Sequence, residues 1–242
     1  MGMSINIYPF PYEGQSINCY VRRLAEVNGY PSVGLFKEIW WKSRNISAHE
    51  LCDDDIAEVI GYRRGHLQKL RLLSSARGSW EHHYGAMLIP SHHLHKHEMY
   101  CPACFKEKGY MLAKWSIGWL PLCLEHQCPL IPVDYEAEKL MPPGVEASRT
   151  TRDRRQYDLF GYDEVCKMQA VLEARLAKEE RGNFSGPSLI SCIDTAMMLS
   201  TGAPSIEAVK SRRRRYPMRY FPFWGEQSLQ FVECLSQELK AA

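Results

Sequence analysis

The spacing of four residues constrains this chain more than any other feature. Cys101 and Cys104 form a two-residue knuckle, and Cys123 and His126 form a second one after eighteen intervening residues. That spacing suits one tetrahedral Zn2+. Three thiolates and one imidazole fill the coordination sphere and leave no position for water, so the expected ion is a single structural zinc with no catalytic role. Cys128 is a spare sulfur two residues past His126 and could replace it, although the regular two-residue knuckle favours His126. A redox role for Cys101 and Cys104 would need a thioredoxin-like strand and helix around them, and neither is apparent. Between the knuckles, Trp115, Ile117, Trp119 and Leu120 read as the apolar face of a short hairpin packed on neighbouring helices.

The remaining composition sets the setting for such a site. A length of 242 residues fits two or three small modules sharing interfaces. The net charge is only +2, so any nucleic-acid contact must come from local clusters of Lys and Arg. Nine cysteines are an odd number, and no charged-then-apolar segment opens the chain, which points to a reduced, cytoplasmic protein. Cys19, Cys52, Cys166, Cys192 and Cys234 read as small buried apolar residues. No apolar run reaches the length of a membrane span, so no membrane partner is expected.

Along the chain, a proline-punctuated start leads into a helix over Ser16 to Val27, with Ile17, Tyr20, Val21 and Leu24 on one face and Asn28 and Gly29 as its stop. Arg22 and Arg23 lie on the other face, either solvated or against a nucleic-acid backbone or an acidic partner. From Ser47 two short helices separated at Gly61 have the shape of a helix-turn-helix, with Ser47 and Glu50 as a capping box. Its second helix offers Arg63, Arg64, Lys69 and Arg71, as a recognition helix or as one basic face of a scaffold hairpin. His92, His93, His95 and His97 invite a metal site or a His-dependent nuclease, but the tract lacks the carboxylate partners either would need and reads as hydrogen-bonded structure.

Pro142, Pro143 and Gly144 mark a module boundary, and the chain beyond it reads as helical. One helix carries Val165, Met168, Leu172 and Leu176 inward and ends near Gly182. The next runs from Pro187 through Leu199 with Ile190, Ile193 and Met197 inward. A third begins at Ser205 and ends in Lys210, Arg212, Arg213, Arg214 and Arg215, followed by Arg219 among Tyr216, Tyr220, Phe221 and Trp224. This second helix-turn-helix candidate suits phosphate contacts or an acidic partner. The last helix places Leu229, Val232, Leu235 and Leu239 on one stripe.

Several separated features coincide with one family. The start with Glu13 and Ser16 leading into RRLAEVNG, then CPAC, a Trp-containing spacer and CLEHQCPLI, resemble the TniQ/TnsD family of transposition target-selection proteins. The resemblance covers roughly the first 135 residues and matches Cys101, Cys104, Cys123 and His126 to the family's zinc ligands. It implies a bacterial, non-enzymatic adaptor that marks a target and recruits an AAA+ ATPase regulator of transposition, with a head-to-tail homodimer as a possible form. Longer members read DNA themselves and shorter ones ride on an RNA-guided CRISPR effector; the length here favours the second branch. A stand-alone zinc-containing regulator reading a specific DNA site is the alternative.

The expected architecture is therefore mainly α, with helix-turn-helix units flanking a small zinc-ribbon-like module. Residues 1–98 would form the N-terminal helical domain, 99–141 the zinc-binding module and 142–242 a C-terminal helical domain with the basic segment.

Overall fold

Ser16 starts the first helix through its hydroxyl, which accepts a 3.1 Å hydrogen bond from the Cys19 amide and so satisfies a donor that the helix itself leaves open. A computed structural model describes residues 7–42, 74–75, 81–95, 98–133, 162–182, 186–205, 207–208 and 228–241. Helix α1 (Ile17–Val27) ends at Asn28, whose side-chain amide donates to the Leu24 carbonyl at 2.8 Å. Tyr20, Val21 and Leu24 are buried as the periodicity predicts, together with Cys19 and Ala25, while Ile17 is half-buried. Arg23 faces neither solvent alone nor a partner: its guanidinium lies 4.0 Å over the Tyr12 ring and donates to the Phe10 carbonyl, pinning the N-terminal segment. Helix α2 (Val33–Lys42) begins after Ser32, which caps the Leu35 amide at 3.0 Å.

Three small sheets follow. Strands β1 (Ser74–Ser75), β2 (Glu81–Tyr84) and β3 (Met87–Pro90) form an antiparallel sheet in that order, with Tyr84 opposite Met87 across a tight turn. A 3-10 turn at Ser91–His93 ends this unit. Strand β4 (Met99–Tyr100) pairs with β7 (Ile131–Pro132), and β5 (Leu122–Cys123) pairs with β6 (Cys128–Pro129). Helix α3 (Pro102–Lys108) and a second 3-10 turn, Ala113–Ser116, lie between them. A helix and a turn thus occupy the stretch where a hairpin is predicted. The cause is local: Pro102 at the first helical position fixes a helical φ, and Gly109 in the left-handed region (φ 73) ends the helix after seven residues.

The C-terminal helices are α4 (Tyr162–Glu179), α5 (Leu189–Thr201) and α6 (Ser228–Ala241), with α5 packed on α6 and α4 against both. Val165, Met168, Leu172 and Leu176 are buried along α4 as read from the sequence. Ser188 caps α5, Gly202 (φ 58) closes it, and Ser205 caps the following turn by accepting from the Ala208 amide at 3.2 Å. On α6 the phase differs from the expected stripe. Phe231 and Leu235 are fully buried, Val232 and Leu239 pack at the edge, and Leu229 is 47% exposed. The larger aromatic side chain removes more apolar area from water and sets the rotation of the helix.

The architecture is mainly helical with a small sheet region. One apolar cluster unites Tyr84, Met87 and Ile89 of the β2–β3 hairpin with Ile117, Trp119 and Leu120 and with the inward faces of α4, α5 and α6. A second cluster collects Cys19 of α1 with Met99, Tyr100, Met111, Trp115 and Leu130 around the cysteines. The helix-turn-helix candidate from Ser47 and the boundary at Pro142 to Gly144 fall outside the described residues.

The β2–β3 turn docks on the end of α4 at Gly85, which has φ 59; a Cβ there would lie 2.2 Å from Cγ and 2.9 Å from the backbone oxygen of Glu180. The neighbouring Ala86 amide donates to that same oxygen at 2.9 Å. Gly202 also has positive φ, but a Cβ there would meet nothing within 4 Å. Gly85→Ala should therefore cost clearly more stability than Gly202→Ala, which carries only the backbone penalty of about 1–2 kcal/mol. Urea denaturation of the two variants checks this, and equal losses would remove the close-contact explanation.

Candidate metal centre

Strand β4 delivers the chain to Cys101, which leaves the strand in an extended conformation (φ −96, ψ 119) and caps α3. Its sulfur accepts from the Cys104 amide at 3.5 Å, so the first knuckle is the opening turn of a helix and holds both sulfurs on one side. The second knuckle is the tip of the β5–β6 hairpin, with Cys123 directly opposite Cys128. Gln127 takes a left-handed conformation (φ 46) to complete the turn. Cys101, Cys104 and Cys123 are buried, and His126 is 21% exposed at the rim.

The donor atoms of Cys101, Cys104, Cys123 and His126 all lie within 4.8 Å of one another. His126 Nδ1 stands 3.6 Å from Cys101 Sγ, 3.2 Å from Cys104 Sγ and 3.7 Å from Cys123 Sγ, and the Cys104 and Cys123 sulfurs are 3.5 Å apart. A zinc ion with ordinary Zn–S and Zn–N bonds would space tetrahedral donors at about 3.8 Å for S to S and about 3.6 Å for S to N. The four side chains therefore fit one tetrahedral ion and could hold it. Cys128 Sγ lies 3.6 Å from Cys101 Sγ but stands outside this four-donor group.

Two carboxylates that the spacing did not reveal complete the surroundings. Glu107 Oε1 lies 2.9 Å from His126 Nε2, which fixes the ring so that Nδ1 faces the sulfurs. Glu125 contacts Cys104 Sγ at 3.5 Å and pairs with Lys108 at 2.6 Å. Both sit in charged runs, Lys106 to Lys108 and Glu125 to His126, where sequence alone cannot separate a ligand-orienting carboxylate from a solvated one. Without an ion, burial and then the contact with Cys123 push the Cys104 thiol up, and burial with the Cys101 contact pushes Cys128 up to about 12. The His126 imidazole is raised by Cys123 first and by Glu107 next.

The centre is tied to its neighbours on both sides. Ser16 donates its hydroxyl proton to the Glu98 carboxylate, and the Ser16 amide donates to the Met111 carbonyl at 2.7 Å. On the other side the buried Gln169 of α4 accepts from the Leu122 amide at 2.9 Å and donates to the Leu122 carbonyl at 2.6 Å, one residue before Cys123. Gln169 also donates to Glu173, which pairs with Lys114 at 2.6 Å.

Of the other predicted contact residues, Arg63, Arg64, Lys69, Lys210, Arg212, Arg213, Arg214, Arg215 and Arg219 lie outside the described residues. His92 and His93 both reach Asp194, a carboxylate 102 residues beyond His92 that no local pattern could have paired with them.

A protein-family model described as TniQ matches residues 6–130, more than half of the chain. The match runs from the N-terminal extended segment through α1 and takes in all four donors. No curated protein matches the chain.

Because the ligands would bind as thiolates and a neutral imidazole, metal uptake must expel protons. At pH 7 about two to three protons should be released per ion bound, with affinity rising steeply as pH rises. Titration of the metal-free chain with Co2+ in a weakly buffered solution reads both the protons and the sulfur-to-metal charge-transfer band. Cys104→Ser should abolish that band and unfold the region around it. A full-strength band in this variant would show that the donors are assigned wrongly.

Proposed function

The chain belongs to the TniQ family of transposition-associated proteins, and from that premise we propose that it is a non-enzymatic adaptor linking a target-recognition complex to an AAA+ ATPase regulator of transposition. The target-recognition complex in this reading is an RNA-guided CRISPR effector in a bacterial cytoplasm. The observation that carries the proposal is the family match over residues 6–130, which spans α1 and the whole four-donor centre. The metal in this reading is one Zn2+ held by Cys101, Cys104, Cys123 and His126. With four protein ligands it has no vacant position for a substrate, so its contribution is rigidity.

An adaptor needs surfaces held at a fixed relation to each other, and the described residues offer the means. The N-terminal segment exposes Ile7, Tyr8, Phe10 and Tyr12, and Phe10 is 74% exposed although Arg23 pins its carbonyl. Aromatic side chains on a fixed backbone suit a protein partner, because little conformational entropy is lost on contact. The three-module division at residues 98/99 and 141/142 belongs to the same reading. So do the roles of Arg63, Arg64, Lys69, Lys210, Arg212, Arg213, Arg214, Arg215 and Arg219, which would neutralise phosphates without specifying a sequence. Head-to-tail pairing of two copies is compatible with this arrangement.

The decisive experiment is a pull-down of the full chain with the AAA+ regulator and guide complex of the same transposon at low salt, alongside selection of bound sequences from random DNA. The adaptor should retain the ATPase and yield no consensus, with DNA affinity falling steeply as salt rises. Failure to retain the ATPase, or a sharp palindromic consensus, would replace this reading with a stand-alone DNA-binding regulator.

A further inference from the structure

We propose that His92, His93 and Asp194 form a second cation site, which takes a borderline divalent ion of the zinc, cobalt and nickel class and fastens the turn after β3 to helix α5. The proposal is independent of the adaptor reading and of the thiolate centre. Its ligands come from two parts of the chain that share the larger apolar core.

The geometry converges on a point. His92 Nε2 lies 3.3 Å and His93 Nε2 2.9 Å from the same oxygen, Asp194 Oδ1, and the three donor atoms are all within 4.8 Å of one another. The two rings are 4.3 Å apart and tilted by 42°, and both Nε2 atoms lie near the same Asp194 oxygen. For an ion with bonds of about 2.0–2.2 Å to nitrogen and oxygen, adjacent donors are spaced at roughly 3.0 Å in an octahedron and roughly 3.4 Å in a tetrahedron. The 2.9 Å separation lies near the octahedral value and the 3.3 Å separation near the tetrahedral one. Two imidazoles and one carboxylate select a borderline ion over Ca2+ or Mg2+, which prefer oxygen donors throughout.

The donors are also held in advance. The 3-10 turn carrying both histidines is fixed at its C-terminal end: the Gly118 amide donates to the His93 carbonyl at 2.7 Å and the His95 amide donates to the Ser116 carbonyl at 2.8 Å. Asp194 stands on α5 next to Ile193, which is fully buried. His93 is 1% exposed, His92 15% and Asp194 25%, so the site is closed on the core side and open on the other. Three protein ligands leave at least one position to water, and the ion should exchange more readily than one held by three thiolates.

The alternative is a plain hydrogen-bonded clamp of the same three side chains, and metal stoichiometry separates the two. The full chain, stripped of metal and titrated with Co2+, should bind two equivalents, one with the thiolate charge-transfer band and one without it. Asp194→Asn, which keeps a hydrogen-bond acceptor for the histidines, and His92→Gln, at the partly exposed position, should each weaken the second equivalent at least tenfold and leave the thiolate band unchanged. The second equivalent should also raise the melting temperature of the unsubstituted chain. Saturation of that chain at one equivalent overturns the proposal and leaves the clamp; two equivalents retained by either variant overturn the ligand assignment.

Discussion

Three buried sulfurs and one imidazole nitrogen all lie within 4.8 Å of one another, a donor set that one tetrahedral cation could bridge. The strands that flank them are two residues long and paired in twos, far too short to stand alone on backbone hydrogen bonds. A bound ion would supply the cross-link that such strands lack, and Trp115 and Trp119, both almost fully buried, supply the apolar area. The rest of the described structure hangs on this joint. Helix α1 reaches it through Ser16 and the Met111 carbonyl, and α4 reaches it through Gln169.

The two apolar clusters divide along that joint. Trp115 belongs to the cluster around the sulfurs and Trp119, four residues later, to the cluster shared with the C-terminal helices. A single 3-10 turn at Ala113–Ser116, followed by Ile117, therefore sends neighbouring side chains into two different interiors. Displacement of the β5–β6 hairpin would be felt in both, since interiors packed to crystal density do not absorb shifts gradually.

Much of this was legible because the signals are local. The four donors follow from knuckle spacing, the ends of α1 from Ser16 and Asn28, and the inward face of α4 from a period of 3.6 residues. The failures are equally physical. Pro102 reads as a turn residue but sits at the start of a helix, where its missing amide costs nothing. Leu229 fits the apolar stripe of the last helix as well as Phe231 does, and only the packing partner decides between them. The partners of His92 and His93, of His126 and of Leu122 are carboxylates and an amide that no spacing rule singles out: Asp194, Glu107 and Gln169.

Gln169 has a further consequence. Its side-chain oxygen and one of its two N–H groups meet the amide and the carbonyl of Leu122 in the same arrangement as a backbone peptide, and the NH2 group also donates to Glu173. For one residue it imitates an additional strand. The β5 edge beside the second knuckle is therefore closed from within the molecule, and a strand from another chain finds no free pair of backbone groups at Leu122. Among the described residues, extension of the β5–β6 pair at Leu122 is thus blocked by a side chain of a helix.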